Sequence, residues 1–227
     1  MARPSLGLHE EIVLLTLRND KGTPASSMHA YAVAGAIVAE LLLAERITLE
    51  ARRRGQPLVQ VARATQTGDP VLDDALERIR TAKRRAALDR WINRLARTAT
   101  VHATAVRLSR KGILALEEKR VLLLFHRTVY PEADPGPEQA LLERVRGAIF
   151  DDGPVDVRTA AVVALAHSAG LLRAHFPARE LKARKDRIRR LGEGDQVADA
   201  TRAAIAAVQA ALVAATAATS VAATAGG

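Results

Sequence analysis

The stretch MHAYAVAGAIVAELLLA, residues 28–44, is the longest apolar run of this 227-residue chain and decides its fold. A bilayer-spanning helix needs about 20 predominantly apolar residues, whereas this run is shorter and contains His29 and Glu40. Small or apolar residues cover most of its circumference up to Arg46, which is the pattern of a helix buried on nearly all sides. We therefore predict a buried central helix over residues 28–46.

The two segments after this helix alternate apolar and polar residues. They are Ile47–Glu50 and Leu58–Val61, and the basic run Arg52-Arg53-Arg54-Gly55 connects them. This pattern predicts a β-hairpin with a basic tip. Further along, Asp69 suits an N-cap and Pro70 suits the first helical position, so a helix is predicted to begin there.

A second β-hairpin is predicted with strands Ile113–Leu116 and Val121–Phe125 on either side of Glu117–Arg120. Five consecutive apolar residues in one strand place apolar groups on both of its faces. One face can pack on the domain core, and the other needs a second layer of the protein, a partner or lipid.

Helices are predicted over residues 8–18, 71–80, 86–97, 98–111, 138–150, 156–169, 178–191 and 197–218.

The fold class predicted from these elements is mainly α, a single globular multi-helix domain with a buried central helix and two β-hairpins. The sequence contains neither an internal repeat nor an interdomain linker. We place the domain at residues 1–218 and a flexible tail at residues 219–227.

The chain is strongly basic, with 34 Lys and Arg against 25 Asp and Glu and a formal net charge of +9. Such a charge favours phosphate-bearing partners, although coding bias alone also produces chains rich in Arg and Ala. The absence of cysteine excludes disulfides, thiolate nucleophiles and cysteine-based zinc sites. Glu10 and Glu11 interrupt the N-terminal apolar stretch that a signal peptide would need, so we expect a cytoplasmic protein.

The sequence lacks the common enzymatic motifs. It contains no P-loop, no G-x-S-x-G and no H-E-x-x-H. Its six histidines show no close metal-ligand spacing. The adjacent Asp73 and Asp74 would point about 100° apart on a helix and do not form a facing acid–base pair. We therefore expect no enzymatic activity, no catalytic residue, no metal site and no cofactor.

A set of short motifs runs in one order along nearly the whole chain, from about Leu6 to Leu212. The motifs are Leu8–Leu15 with Arg18–Gly22, Ala39–Leu41 with Arg46–Glu50, Thr67–Asp69 with Leu72-Asp73 and Ala75-Leu76, Trp91-Ile92, Arg110–Leu114 and Leu123–Phe125. Together they resemble the Golgi phosphoprotein 3 family. The resemblance implies a mostly helical fold without enzymatic activity. It also implies a peripheral membrane protein, because eukaryotic members bind phosphatidylinositol 4-phosphate and act as sorting adaptors for Golgi glycosyltransferases.

The family's lipid pocket uses a Trp, an Arg of the core helix and two Arg residues one helical turn apart. By the resemblance these four positions correspond to Ala25, Ala34, Thr98 and Val101. A headgroup phosphate needs charge-assisted donors, which these side chains do not supply. We therefore expect that the specific phosphoinositide pocket is not retained.

The function predicted is that of a peripheral membrane adaptor that binds anionic lipid headgroups through basic loops. Six basic residues at an anionic surface would together supply about 6 kcal/mol, which is about four decades in affinity. The candidate headgroup contacts are Arg52, Arg53, Arg54, Arg94, Arg97, Arg107 and Arg110. The candidate membrane-insertion or oligomerisation hairpin presents Val121, Leu122, Leu123, Leu124 and Phe125. The partners expected are anionic membrane lipids, phosphoinositides among them, protein cargo and further copies of the chain.

Two alternatives stay open. In a winged-helix-like DNA-binding protein, residues 97–111 would enter the major groove, although this stretch lacks the Asn or Gln that reads adenine. In a protein-interaction scaffold, the second hairpin would mediate self-association. A DNA-binding wing should carry a polar tip, whereas this hairpin leads from Lys119-Arg120 into VLLLF. That feature favours lipid or protein over nucleic acid.

Overall fold

A computed structural model describes residues 5–18, 23–24, 28–53, 56–121 and 125–193, with the isolated positions 206, 208, 209 and 213. The helices of this part are α1 (Leu8–Thr16), α2 (His29–Leu43), α3 (Pro70–Arg80), α4 (Leu88–Leu95), α5 (Thr98–Arg110), α6 (Gly136–Phe150), α7 (Val157–Ser168), α8 (Leu172–His175), α9 (Ala178–Ala183) and α10 (Lys185–Glu193). The strands are β1 (Leu17–Arg18), β2 (Thr23–Pro24), β3 (Ile47–Glu50), β4 (Leu58–Val61), β5 (Glu117–Val121) and β6 (Phe125–Val129). They form three antiparallel pairs in sequence order, β1 with β2, β3 with β4 and β5 with β6.

The centre of the domain is α2, as the sequence predicts. Residues 32–39 and Leu41 are buried, and the helix contacts α1, α3, α4, α5 and α7. It ends at Leu43 rather than at the predicted Arg46. Glu45 takes a left-handed φ of 52°, and the Arg46 amide donates a hydrogen bond of 2.8 Å to the Leu41 carbonyl. This arrangement closes the helix one turn earlier than its apolar pattern indicates.

The first hairpin and the start of α3 confirm the sequence prediction. β3 and β4 have the predicted bounds, and their register pairs Ile47 with Val61. At the start of α3, Asp69 Oδ1 accepts a 2.9 Å hydrogen bond from the Val71 amide. Pro70 occupies the first helical position, where its missing N–H costs nothing.

The predicted strand bounds of the second hairpin are wrong. Its strands are Glu117–Val121 and Phe125–Val129, so Glu117–Arg120 lies in a strand and not in the turn. The segment Ile113–Leu116 leads out of α5, with Ile113 and Leu114 buried and only an isolated bridge from Leu114 to Glu132. The apolar run Val121–Phe125 is therefore not one strand, because its two ends pair with each other across the turn. Residues 122–124, the candidate tip, lie outside the described residues.

The last described helices differ from the prediction in two places, and one of them is that α8 was not predicted. The predicted helix over residues 178–191 is two helices, α9 and α10, separated at Arg184. Here the chain turns toward the end of α6, because Arg184 donates to the Phe150 carbonyl at 2.6 Å and Arg187 donates to the Ala148 carbonyl at 2.7 Å. Of the predicted helix over residues 197–218, four described positions are helical, and the tail at 219–227 lies outside the described residues. None of the helices in the described ranges is long and apolar enough to cross a membrane.

Candidate anion-binding site

A cavity of about 450 Å³ opens between α3 and α5, and we call it the α3–α5 cavity. One helix face of α5 forms much of its wall, because residues three and four apart on a helix are neighbours. Four arginines line the cavity. They are Arg78 of α3, Arg97 immediately before α5, and Arg107 and Arg110 in the last turn of α5. Its apolar lining includes Ile37, Val71, Ala75, Leu95 and Val106.

Two of these four arginines have carboxylate partners. Arg78 lies 2.8 Å from Asp74, and Arg107 lies 3.0 Å from Asp69. Within the described part of the chain, Arg97 and Arg110 form no ion pair with a carboxylate. The cavity therefore carries a net positive charge that the neighbouring side chains leave uncompensated.

The beginning of α5 adds a backbone contribution to the same cavity. Ala99 and Thr100, in the first turn, line the cavity. This turn has no acidic residue and no side-chain cap. The first amides of a helix carry partial positive charge and point toward a ligand at its N-terminus, which makes such a helix end favourable for phosphate. Here it lies beside Arg97.

A buried polar cluster from α1 holds Arg107 in place. His9 is fully buried, and its Nε2 lies 3.3 Å from Asp69 Oδ2. Glu10 contacts Arg107 at 3.5 Å and Lys111 at 2.7 Å. Burial alone would raise the pKa of Asp69, but His9, the Val71 amide and the charge of Arg107 outweigh it and lower the pKa to about 2. Asp69 is therefore ionised throughout the physiological pH range.

The same α1 segment is tied to the helices on its other side. Glu11 Oε1 accepts a 2.7 Å hydrogen bond from Arg144 of α6. Arg158 of α7 donates to Glu40 of α2 at 2.9 Å and to the Leu6 carbonyl at 2.6 Å. Burial raises the pKa of Glu11 despite the opposing effect of Arg144 and Arg158. The Leu8–Glu11 motif thus has a structural role, since it joins α1 to α5, α6 and α7.

Gly7 is required by the packing of this motif. A Cβ at position 7 would lie 2.6 Å from Cε1 of the His9 ring. The Gly7 amide also donates a 2.8 Å hydrogen bond to Glu10 Oε2. A side chain here would therefore displace the buried imidazole.

The structure separates the seven predicted headgroup contacts into groups. Arg97, Arg107 and Arg110 converge in the α3–α5 cavity, while Arg52 and Arg53 are exposed on the connection between β3 and β4. Arg54 of that connection lies outside the described residues.

Arg94 is the remaining predicted contact, and it does not line the cavity. Its guanidinium lies over the Trp91 ring, 4.8 Å from the ring centroid. The five residues Val121–Phe125 cannot be placed as a site, because their side chains lie outside the part of the chain that the structure describes.

Two further polar side chains of the cavity, Arg78 and His102, were not among the predicted contacts. Arg78 lines the cavity from α3, where it pairs with Asp74. His102 lines the cavity from α5, and its Nδ1 lies 2.8 Å from the Tyr130 hydroxyl. Burial raises the pKa of Tyr130, so the phenol stays protonated and able to hold the imidazole in position.

The four positions that the resemblance assigns to the family's lipid pocket are Ala25, Ala34, Thr98 and Val101. Ala34 is fully buried in α2 and Val101 is buried in α5. Thr98 is exposed at the start of α5, and Ala25 lies outside the described residues. Ile37, one turn after Ala34, lines the α3–α5 cavity. The cavity therefore adjoins the corresponding positions but is lined by different arginines.

The geometry of α5 does not favour the DNA-binding alternative. Lys111, at the end of α5, is bound by the carboxylate of Glu10 at 2.7 Å. The hairpin that would serve as the wing begins with the exposed acidic residues Glu117 and Glu118, which would repel a phosphate backbone.

A comparison with protein families places these features in context. The model of a family described as Golgi phosphoprotein 3 (GPP34) matches residues 8–208. This range contains all the helices and strands named above, the α3–α5 cavity and the buried cluster of α1.

Proposed function

Because the chain belongs to the Golgi phosphoprotein 3 family, we propose that it is a non-enzymatic peripheral membrane protein that binds anionic lipid headgroups in the α3–α5 cavity. One observation carries this proposal. Four arginine side chains converge in a single cavity, and two of them, Arg97 and Arg110, have no carboxylate partner in the described ranges.

A lipid phosphate fits the chemistry of this cavity. Its oxygens accept charge-assisted hydrogen bonds, for which the planar guanidinium offers two parallel donors. Arg97 and the first turn of α5 would contact a phosphate at one end of the cavity, and Arg110 would contact an anionic group at the other end, since about 20 Å of helix separates the two residues. Arg107, fixed by Asp69 at 3.0 Å, would supply a positioned third group with little loss of side-chain entropy.

The selectivity proposed differs from that of the eukaryotic family members. Ala34 and Val101 lack the donors of the family's phosphatidylinositol 4-phosphate pocket. The cavity arginines would replace that pocket with one selective for negative charge. We therefore propose binding to anionic lipids in general, without preference for one phosphoinositide.

Other surfaces would add to membrane attachment. Arg52, Arg53 and Arg94 would each contribute about 1 kcal/mol if they face an anionic leaflet. The apolar tip Val121–Phe125 would enter the lipid and set the docking orientation. The proposed location is the cytoplasmic face of a membrane, where the protein would bind protein cargo as an adaptor.

Self-association through the β5–β6 hairpin is the second function that an observation supports. β5 and β6 pair with each other along their length, and Leu116 at the base is 48% exposed. A concentration-dependent increase in mass that is abolished by Leu123→Asp would support this function.

Co-sedimentation with liposomes tests the lipid proposal. Neutral vesicles, generic anionic vesicles and phosphatidylinositol 4-phosphate vesicles of matched surface charge are compared at low and physiological salt. We expect equal, salt-sensitive binding to both anionic surfaces. The double variant Arg97→Gln/Arg110→Gln should lose about 30-fold in affinity, from about 1 kcal/mol per residue.

The matched control is Arg84→Gln/Arg90→Gln, which removes the same charge from exposed residues outside the cavity. It should weaken binding less than about threefold, as expected for charges far from the lipid phosphate. An equal loss in both double variants would refute the cavity as the site. No binding at low salt would refute lipid binding, and preference for the phosphoinositide at matched charge would refute the proposed selectivity.

A further inference from the structure

A second cavity, of about 600 Å³, lies among α7, α8, α9 and α10, and we call it the α8–α10 cavity. It shares no lining residue with the α3–α5 cavity. Its volume is within the range of small-molecule sites. None of the residues that line it is acidic.

Three cations line this cavity without a carboxylate partner in the described part of the protein. They are Arg173 of α8, Lys182 of α9 and Lys185 of α10. Asp186, next to Lys185 along the chain, pairs with Arg189 at 3.6 Å. All three side chains are exposed, and the combined positive potential of three cations around one opening attracts an anion.

His167 lies close enough to this positive charge for its pKa to be affected. It lines the cavity from the last turn of α7. Burial lowers the pKa of His167, and the charge of Arg173 lowers it further. The imidazole is therefore neutral at physiological pH and would add a hydrogen-bonding group beside the three cations.

The remaining wall of the cavity is apolar. Leu172 and Ile188 are buried, and Leu181 is half-buried. The methylene stems of Lys182 and Lys185 extend this apolar surface, because lysine keeps only its ammonium in water. An inorganic anion would contact the cations but not the exposed part of Leu181 or the lysine stems.

We propose that the α8–α10 cavity binds a single-chain amphiphilic anion, namely an alkyl chain that ends in a phosphate or carboxylate. The alkyl chain lies against Leu172, Leu181 and Ile188. The anionic group lies among Arg173, Lys182 and Lys185. A headgroup still embedded in a bilayer does not fit this arrangement as well, because its chain would stay in the membrane and leave the apolar wall empty.

Calorimetric titration with alkyl phosphates below their aggregation concentration tests this proposal on the unmodified protein. Decyl phosphate should bind more tightly than octyl phosphate, by up to about fourfold for each methylene that is buried. Inorganic phosphate and a neutral decyl glycoside should each bind at least about tenfold more weakly, because each satisfies only half of the site. Equal affinity for decyl phosphate and either of these two probes would overturn the proposal.

A pair of double variants locates the site. Lys182→Gln/Lys185→Gln should weaken decyl phosphate binding at least about tenfold. The control Arg179→Gln/Arg190→Gln removes the same charge from exposed positions of the same two helices that do not line the cavity. It should change the affinity less than about twofold. An equal loss in both variants would overturn the site.

Two further readouts keep this proposal separate from lipid binding at the α3–α5 cavity. In the variant Arg97→Gln/Arg110→Gln, decyl phosphate binding at the α8–α10 cavity, followed through the His167 resonance, should be unchanged, since neither residue lines that cavity. In nuclear magnetic resonance titrations, bound decyl phosphate should raise the pKa of His167 by offsetting the charge of Arg173. An unmoved His167 titration at saturation would overturn the proposal even if decyl phosphate binds.

Discussion

Replacing Asp69 with asparagine removes one negative charge from the centre of the buried cluster and leaves its helix cap in place. Asparagine is as good an N-cap as aspartate, so Oδ1 can still accept from the Val71 amide. The lost interactions are those of Oδ2 with His9 at 3.3 Å and with Arg107 at 3.0 Å. The substitution therefore isolates the electrostatic contribution of this carboxylate.

The pKa of Asp69 gives the size of that contribution. Between its ordinary value of 3.8 and about 2 in the folded protein, the difference corresponds to about 2 kcal/mol. Because the folded pKa is the lower one, this stabilisation is complete above pH of about 4 and is lost as the pH falls through about 2. At pH 3 about 1 kcal/mol should remain.

Urea denaturation of the two proteins at pH 7 and at pH 3 measures this difference. Asp69→Asn should be less stable by about 2 kcal/mol at pH 7 and by about half of that at pH 3. The control Asp74→Asn breaks the exposed pair with Arg78 and should cost at most about 0.5 kcal/mol at either pH. A cost for Asp69→Asn that matches the control, or that is the same at both pH values, would refute the electrostatic role of the cluster.

Two other substitutions test the framework around the site. Arg158→Met leaves the buried carboxylate of Glu11 and the half-buried carboxylate of Glu40 under-compensated and should cost about 2 kcal/mol in thermal or urea unfolding. Burial already raises the pKa of Glu11, so the cost in stability should grow as the pH rises above that pKa and the carboxylate ionises. A cost that is independent of pH would contradict the role of Arg158 in compensating Glu11. Gly112→Ala should cost about 1 kcal/mol in urea unfolding because position 112 has a φ of +73°. Gly153→Ala, with open space and no positive φ, should be neutral, and equal costs at the two glycines would contradict the role of backbone strain.

Local signals in the sequence were sufficient for most of the helices, though not for all their ends, and for the first hairpin. The Asp69-Pro70 pair predicted the start of α3, because an N-cap acts within its own turn. The strands Ile47–Glu50 and Leu58–Val61 were predicted from strict alternation of apolar and polar residues. The apolar run over residues 28–44 predicted the buried helix α2 for the same reason, since its pattern depends on no distant partner.

The second hairpin could not be predicted in the same way. β5 consists largely of charged residues, Glu117–Arg120, which have low strand propensity. They form a strand because β6 provides a partner, with Glu117 paired to Val129. Val121 and Phe125, the two ends of the apolar run that looked like one strand, pair with each other instead. Pairing energy thus outweighed propensity at this position.

The candidate site was predictable only in part. Arg107 and Arg110 could be placed together, because their spacing puts them on one helix face. Arg78 was missed because the packing of α3 against α5 brings it to the cavity, and no local pattern encodes that contact. Nor could the sequence indicate that Glu10 would hold Lys111, since 101 positions separate the two residues.

The ion pairs of α1 and α2 constrain when this chain can fold during its synthesis on the ribosome. Glu40 and Arg158 are 118 positions apart, and the partner of Glu11 lies 133 positions away. At typical synthesis rates, about 6 to 24 s pass between the emergence of Glu40 and that of Arg158. During this interval the carboxylates of Glu11 and Glu40 have no arginine partner and must stay hydrated. The apolar residues of α2 also cannot yet pack against α7. A nascent chain of this protein should therefore depend on holding chaperones until α7 has emerged.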